Sequence, residues 1–332
     1  MTDPSGNGVH SMKFSLALLL AALLPAACAA ETIKVATYNI ENFREHFQAH
    51  KMTTQPSFRQ PDEAMQRILD SEKNQNDEDN WEIATVIQAM NPDIMVIQEG
   101  CRQEDLEFFN ERWLNKAYET LIVFPSNTER GQELAIILKP GFKVLDRRDQ
   151  YYLEPDTVIN PRGDRLFSRG PVFVLVQAPD GYTFWVGTNH QKSKSDNSLE
   201  VTQWRNREAL RTRQIIQELA KDPRCSGDVV FLGDLNDEIG FQEFEHEGGG
   251  DTMANILGDG PEALHLATRP LAEKGEISFG GYWRSNRRSL IDHIVVTPAV
   301  VNQIEEVRVF REGLAPAASD HYPVFIRLDT TR

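Results

Sequence analysis

Six short stretches place oxygen and nitrogen donors beside apolar runs. Tyr38-Asn39-Ile40-Glu41 closes an alternating run that begins at Ile33, and Gln98-Glu99 closes Asp93-Ile94-Met95-Val96-Ile97. Thr188-Asn189-His190 closes a run from Tyr182, and Gly233-Asp234-Leu235-Asn236-Asp237-Glu238 follows Val229-Val230-Phe231-Leu232. Ser319-Asp320-His321-Tyr322-Pro323 precedes Val324–Leu328, and Asp292 stands inside the apolar run Leu290–Val296. Carboxylates and amide oxygens are hard donors suited to Mg2+, Mn2+ or Ca2+. Histidines such as His190 and His321, beside a cation and a carboxylate, can contact phosphate or move protons. Asp292 in an apolar run needs a buried partner, and a histidine serves. Each stretch alone has a plainer reading, because Asn or Gly-Asp at a strand end is ordinarily a turn. In the fourth stretch, Gly233 lets the backbone turn, Asp234 and Asn236 share one side of the chain, and Leu235 returns to the core. Asp237 and Glu238 read as a solvated turn.

The elements that must carry these residues follow from apolar periodicity. Strands are expected at Ile33–Tyr38, Asp93–Glu99, Leu121–Phe124, Leu134–Lys139, Val172–Ala178, Tyr182–Thr188, Asp228–Leu232, Leu290–Thr297 and Val324–Leu328. Pro179-Asp180-Gly181 makes the fifth and sixth a hairpin. Helices are expected from Trp81 to Met90, stopped by Asn91-Pro92, near Gln103–Trp113, and over 199–219 as the longest of the chain. Residues 44–80 form a long polar segment with a short helix after Pro61 and a solvated loop over Asn74–Asn80. No internal repeat or flexible linker divides the chain, which reads as one mixed α/β domain over 31–332.

The chain has 332 residues and a net charge of −15. Such a charge excludes holding a polyanion by overall field, so a phosphate-ester substrate requires a local cation or Arg/Lys cluster. Lys13, the apolar run Phe14–Leu24 and the small residues Pro25–Ala30 fit a secretory signal peptide, and Met12 is the natural start. Pro25-Ala26-Ala27 before Cys28 is a poor lipobox, which favours soluble export, periplasmic or extracellular, over a lipid anchor. The apolar run is too short to span a bilayer, and no stable membrane insertion is expected.

Taken together, TYNIEN, PDIMVIQE, TNH, GDLND, LIDHIVV and SDHYPV resemble, in order, the motifs of the endonuclease/exonuclease/phosphatase (deoxyribonuclease I-like) superfamily. The resemblance extends from Ile33 to about Leu328. It implies a four-layer α/β (α+β) sandwich, with two mixed, mostly antiparallel sheets face to face, helices outside, and all these strand ends at one edge. It implies metal ligands Asn39, Glu99 and Asp320, with Glu41 a second acid near the metal, and Mg2+ (or Mn2+ or Ca2+) as cofactor. Asp234 matches the aspartate that activates the attacking water, and Asn236 its phosphate-contacting neighbour. His190 and His321 match the two catalytic histidines, Asp292 the carboxylate that orients the second, and Arg169 a phosphate-reaching arginine. The chain departs from the family at Arg130-Gly131-Gln132-Glu133, where an acid supporting the first histidine often stands; Gln132 is the candidate for that support. The 44–80 segment is longer than usual and is either a substrate-covering loop or a solvated insertion.

The expected activity is hydrolysis of phosphodiesters, foremost those of nucleic acid, by a monomer. Asn189-His190-Gln191-Lys192-Ser193-Lys194 is similar to a block of bacterial extracellular nucleases, and Lys192 and Lys194 would meet flanking phosphates. Arg284, Arg287 and Arg288 beside Tyr282-Trp283 are either a strand-holding cluster or a solvated basic loop. The alternative is a phosphatase or phosphodiesterase acting on lipid, in the manner of sphingomyelinases, or on small phosphoesters. A non-catalytic binding protein would be expected to have lost part of the set, and all of it is present. Cys101 and Cys225 belong at opposite ends of strands roughly 17–20 Å long, beyond bridging distance.

Overall fold

The computed structural model describes residues 32–41, 63–128, 132–160, 163–194, 198–240, 250–280 and 288–332, with the backbone alone at 63–76 and 159–160. The leader-like segment 1–30, residues 42–62, Arg130, Gly131, Tyr282, Trp283, Arg284 and Arg287 lie outside the described residues. The chain runs β1 (Thr32–Asn39), α1 (Glu63–Met90), β2 (Ile94–Gly100), α2 (Gln103–Arg112), β3 (Thr120–Phe124), β4 (Glu133–Leu138) and β5 (Lys143–Arg148). A small antiparallel pair, β6 (Pro155–Asn160) and β7 (Gly163–Arg165), leads to β8 (Val172–Gln177), β9 (Thr183–His190), α3 (Leu199–Leu219) and β10 (Val229–Asp234). Then come α4 (Thr252–Leu257), β11 (His265–Leu266), α5 (Arg269–Glu273), β12 (Asp292–Val296), β13 (Ile304–Val309), α6 (Ala315–Ala318) and β14 (Val324–Asp329).

Strand alternation sorts the apolar residues into three cores. Val35, Val96, Ile136, Val186, Leu232 and Ile294 face the space between two six-stranded sheets. Ala36, Met95 and Ile137 point the other way, onto α1, α2 and α6. Trp185, Phe231 and Val295 point onto α3 and α4. The result is the expected four-layer sandwich. The first sheet is ordered β13-β14-β1-β2-β4-β3 and the second β11-β12-β10-β9-β8-β5. Each has one parallel pair, β1 with β2 and β9 with β10, inside otherwise antiparallel ladders.

The inward parity of each strand, continued to its end, explains the site. Thr37 and Asn39 continue Val35, Gln98 continues Val96, and Thr188 and His190 continue Val186. Asp234 continues Leu232, and Asp292 precedes Ile294 at the same parity. Thr37 Oγ1 donates to Gln98 Oε1 at 3.0 Å and Gln98 Nε2 donates to Thr188 Oγ1 at 2.9 Å. The apolar inter-sheet core therefore closes in a polar seam joining the sheets. In the second sheet Asp234 is paired with His190 on one side and Asp292 on the other.

Three expectations are corrected: the loop at Asn74–Asn80, the 199–219 helix as the longest, and the turn at Gly233. Asn74–Asn80 is not a loop but the middle of α1, a 28-residue helix, longer than the 21 residues of α3. Helical turns on both sides carry it through, since propagation adds a hydrogen bond per residue while each poor helix former costs only tenths of a kcal/mol. Gly233 is not a turn. It lies inside β10 against Asn189, where a Cβ would come within 2.2 Å of the Asn189 carbonyl oxygen. Gly233→Ala is expected to lose about 3 kcal/mol by this overpacking, read as a lowered urea midpoint. An unchanged midpoint would show that β9 and β10 tolerate separation. As expected, Cys101 and Cys225 are not bridged to each other; both are buried, in the cores outside the first and second sheets. No helix among the described residues is long and apolar enough to cross a membrane.

Candidate active site

Asp234 is the hub. Its Oδ2 accepts from Asn39 Nδ2 at 3.1 Å and lies 3.2 Å from His190 Nε2 and 3.8 Å from His321 Nε2. Its Oδ1 accepts from the Asn236 amide at 2.9 Å, while Asn236 Nδ2 donates to the Gln191 carbonyl at 3.0 Å. Asp292 Oδ2 accepts from His321 Nδ1 at 2.7 Å, the buried partnership expected for an acid inside an apolar strand. Thus strand ends from both sheets and the segment before β14 bring Asn39, His190, Asp234, Asn236, Asp292 and His321 together.

Glu99 arrives by a break in alternation. Regular pleating would leave it on the outer face with Ile97. The β2–β4 register shifts between Ile97 and Gly100, and Glu99 takes φ 56°. A bulge with a left-handed residue re-aims a side chain in this way. Glu41 and Asn236 also have φ 50°. Such backbone strain gathers where side chains must meet at a site. Asp320 N donates to Glu41 Oε2 at 3.1 Å, and Glu41 N donates to Asn39 Oδ1 at 3.1 Å.

Electrostatics divide the site into two halves. On the acidic side, burial raises the Asp320 carboxyl to about 6; His321 opposes this, and the charges of Glu41 and Glu99 reinforce it. Asn39, Glu41, Glu99 and Asp320 are an all-oxygen donor set of the kind a hard divalent cation takes, although their carboxylates are not among the described groups whose ligand atoms all lie within 4.8 Å of one another. Asp234, Asp292 and His321 do bring ligand atoms within 4.8 Å of one another. Their donors, however, are already turned on one another, since His321 Nδ1 is bonded to Asp292. On the other side lie Arg169, Lys192 and the two histidines. Burial, aided by Arg169, His321 and Lys192, pushes His190 well below the usual imidazole range, so it is neutral. Burial also works against the His321 imidazolium, but Asp292, then Asp234 and Asp320, outweigh it and raise His321 to about 10. Burial raises Asp234 to about 7, with Asp292 adding to the shift and His321 and Asn39 opposing it.

The structure redistributes several expected roles. Gln132 Oε1 accepts from Arg169 Nη1 at 3.2 Å, so it orients Arg169 and not His190, whose Nδ1 has no hydrogen-bond partner among the described residues. Arg169 Nη1 lies 3.8 Å from Glu99 Oε1 and links the two halves. Asp237 is not solvated. It is 1% exposed, paired with the Lys194 ammonium and 3.7 Å from Arg205 Nε. Two cations make its burial tolerable, and Lys194 is thereby committed to Asp237 and not free to meet a phosphate. Arg288 is exposed.

Three contributors escaped the sequence reading. Ser278 Oγ donates to Asp292 Oδ2 at 2.7 Å and accepts from the Ile291 and Asp292 amides at 3.1 and 3.0 Å. With both lone pairs taken, its proton is directed at the carboxylate that holds His321. The other two, Arg205 and Glu208, are fully buried on α3. Their spacing places them on the same helix face as Val201 and Trp204, and a charged pair on an apolar face was the available signal.

A two-sheet sandwich carrying an acidic, hard-donor cluster beside histidines and an arginine at one edge defines a phosphoesterase-type centre. Residues 36–321 match the Endonuclease/Exonuclease/phosphatase family, and the chain belongs to it. Its members are phosphoric ester hydrolases. No curated protein matches the chain. Among solved structures, a Bacteroides thetaiotaomicron protein of the same family is 17% identical, with TM-score 0.55, covering 90% of this chain and 97% of its own. A mannosyl-6-phosphatase of that organism is 17% identical, with TM-score 0.53, covering 89% and 98%. D. rerio TDP2, complexed with single strand DNA product, is 13% identical, with TM-score 0.54, covering 89% and 98%. At these identities the likeness concerns the fold.

Proposed function

We propose that the protein is an exported, divalent-metal-dependent phosphodiesterase acting on nucleic acid as a monomer. The observation that carries the hydrolytic reading is Asp234, a buried carboxylate held by Asn39, His190 and Asn236 beside the Asp292-bound His321. A cation held by Asn39, Glu41, Glu99 and Asp320 would withdraw charge from the phosphate and stabilise the in-line transition state. Asp234 orients a water and takes its proton as the new oxygen–phosphorus bond forms and the bond to the leaving oxygen breaks. His321, charged at neutral pH, stabilises the developing negative charge, and Asn236 and Arg169 add donors to the phosphate oxygens. His190 supplies a neutral Nε2–H and fixes Asp234 between itself and Asn39. Support for a nucleic-acid substrate is Lys192 two residues beyond His190, where its charge acts on that ring. Support for export is the apolar run Phe14–Leu24 with the small residues behind it.

One observation favours a second reading, a small phosphomonoester substrate such as a sugar phosphate. Lys194, one of the cations needed along a polynucleotide, is committed to Asp237. The two readings separate in one experiment on the chain from Glu31 onward. Plasmid DNA, RNA, sphingomyelin, mannose 6-phosphate and p-nitrophenyl phosphate are offered with Mg2+, Mn2+ or Ca2+, or with EDTA. The expected result is cleavage of nucleic acid that chelation abolishes and Mg2+ restores. Monoester or lipid hydrolysis without nucleic-acid cleavage overturns the substrate, and activity in EDTA overturns the metal.

A further inference from the structure

The buried face of α3 is not uniformly apolar. Thr202, Arg205, Glu208 and Thr212 recur at spacings of three and four, each at most 1% exposed, among Val201, Trp204, Ala209 and Ile215. Such a stripe is costly unless each polar group meets a partner, and a lone buried carboxylate most of all. The partners of Glu208 belong to the two segments that carry the basic half of the site. Its Oε2 accepts from the Lys192 amide at 3.0 Å, two residues beyond His190. Its Oε1 accepts from the Ser168 amide at 3.4 Å, one residue before Arg169. Arg205 completes the clasp on the same segment, with Nη1 reaching the Lys192 carbonyl at 3.5 Å.

We infer that Glu208 is a positioning residue for phosphate recognition: one buried carboxylate ties the strand end bearing His190 and Lys192 to the segment bearing Arg169, fixing the separation of their donors. The inference rests on the phosphoesterase reading above. Two amide donors arriving from different segments need two acceptor oxygens. An ionised carboxylate offers both, whereas a glutamine amide offers one oxygen and turns an NH2 group toward the second N–H. Glu208→Gln, equal in volume, must therefore release one segment. Aspartate, shorter by a methylene, cannot span both. The positive charges of Arg169 and Arg205 act on the same carboxylate, so its charge is offset in part, though less than burial opposes it, by the residue it helps to place.

The fold does not require this arrangement. Burial raises the Glu208 carboxyl to about 7. Because the folded-state value lies above the unfolded one, the stability linked to its protonation is lost as pH rises through about 7. At pH 8 the charged carboxylate is therefore a burden on the fold. Glu208→Gln removes that burden and leaves one amide poorly paired, and its melting temperature at pH 8 is expected to stay within about 3 °C of wild type. A residue that only held the fold together would lose stability and activity in parallel.

Two measurements decide the matter. On whichever substrate the wild type hydrolyses, Glu208→Gln is expected to lower kcat about 10- to 100-fold at nearly constant melting temperature. In an Arg169→Ala background the same substitution should cost clearly less, since part of its effect runs through Arg169. Independently of turnover, calorimetric titration with inorganic phosphate in saturating Mg2+ is expected to show about tenfold weaker binding by Glu208→Gln. A wild type that hydrolyses nothing overturns the phosphoesterase reading, while the phosphate titration still decides the role of Glu208. Wild-type phosphate affinity in Glu208→Gln, no phosphate binding by either protein, or full additivity with Arg169→Ala overturns the inference.

Discussion

Asp234→Asn is expected to lower kcat by about 10^3- to 10^4-fold while leaving the sandwich intact. The amide is isosteric but cannot accept the proton of the attacking water, and its NH2 group is accommodated when Asn39 and His190, whose donors now converge on Oδ2, turn acceptor atoms toward it. The wild-type pH profile carries the same information. The base must be ionised, so kcat/KM should rise to a plateau through a limb at or below about 7, below if a bound cation favours the carboxylate. That limb should vanish from the residual rate of Asp234→Asn. The same residue gives a stability signature of opposite sign. Its folded-state value lies above the unfolded carboxylate range, so the fold binds a proton that the unfolded chain releases. The stability from that proton is fully present below the unfolded value and lost as pH rises through about 7. In chelator at pH 8, Asp234→Asn should therefore melt above wild type, and the difference should close toward pH 4. A variant that is both inactive and less stable at pH 8 would mean Asp234 is structural. Loss of activity with gain of stability is what a group held against its solvation preference for chemistry produces.

The same alternation that sorts the cores made most of the centre legible in the sequence. Asn39, His190, Asp234 and Asp292 sit at inward parity on strands whose apolar residues announce themselves, so residue type and strand position together pointed to one edge. Glu99, matched to a metal ligand by the resemblance of its motif, is not placed by periodicity, which puts it on the wrong face; only the bulge at Ile97–Gly100 brings it in. What periodicity could not carry was of two kinds. Strands such as β5, with the sequence KVLDRR, and β13, IEEVRV, lie at sheet edges with little burial, so no apolar run marks them. Long-range polar partnerships were the second kind. Asp237 reads as one more acid in a turn until Arg205 and Lys194 are brought to it, and Gln132 reads as a partner for His190 until Arg169 takes it. Such pairings depend on which segments cross in space, and a single chain's local pattern holds no record of that.

Asp292→Asn is expected to lower kcat by about 10^2- to 10^4-fold, through His321 and without contact with the reacting water. Asp292 Oδ2 accepts from both His321 Nδ1 and Ser278 Oγ at 2.7 Å, which holds the imidazole with its Nδ1 protonated and Nε2 turned toward Asp234. An amide whose NH2 faces Nδ1 forces the other tautomer, and one whose oxygen faces Nδ1 keeps the tautomer but removes the charge that retains the second proton. Either way the imidazolium is lost near neutral pH, and with it the positive charge offered to the phosphate. Stability again supplies an independent readout. The His321 folded-state value, raised to about 10, lies above the unfolded imidazole value, so its contribution is fully present below about 6.5 and lost as pH rises through about 10. Asp292→Asn should be less stable than wild type at pH 6, and the gap should narrow as wild type itself loses this contribution toward pH 10. Proton resonances of the imidazole ring report the same change directly, since the variant's His321 should titrate below neutrality. If His321 still titrates near pH 10 in Asp292→Asn, the charge is held by Asp234 and Asp320 instead, and Asp292 is reduced to a structural neighbour of Ser278.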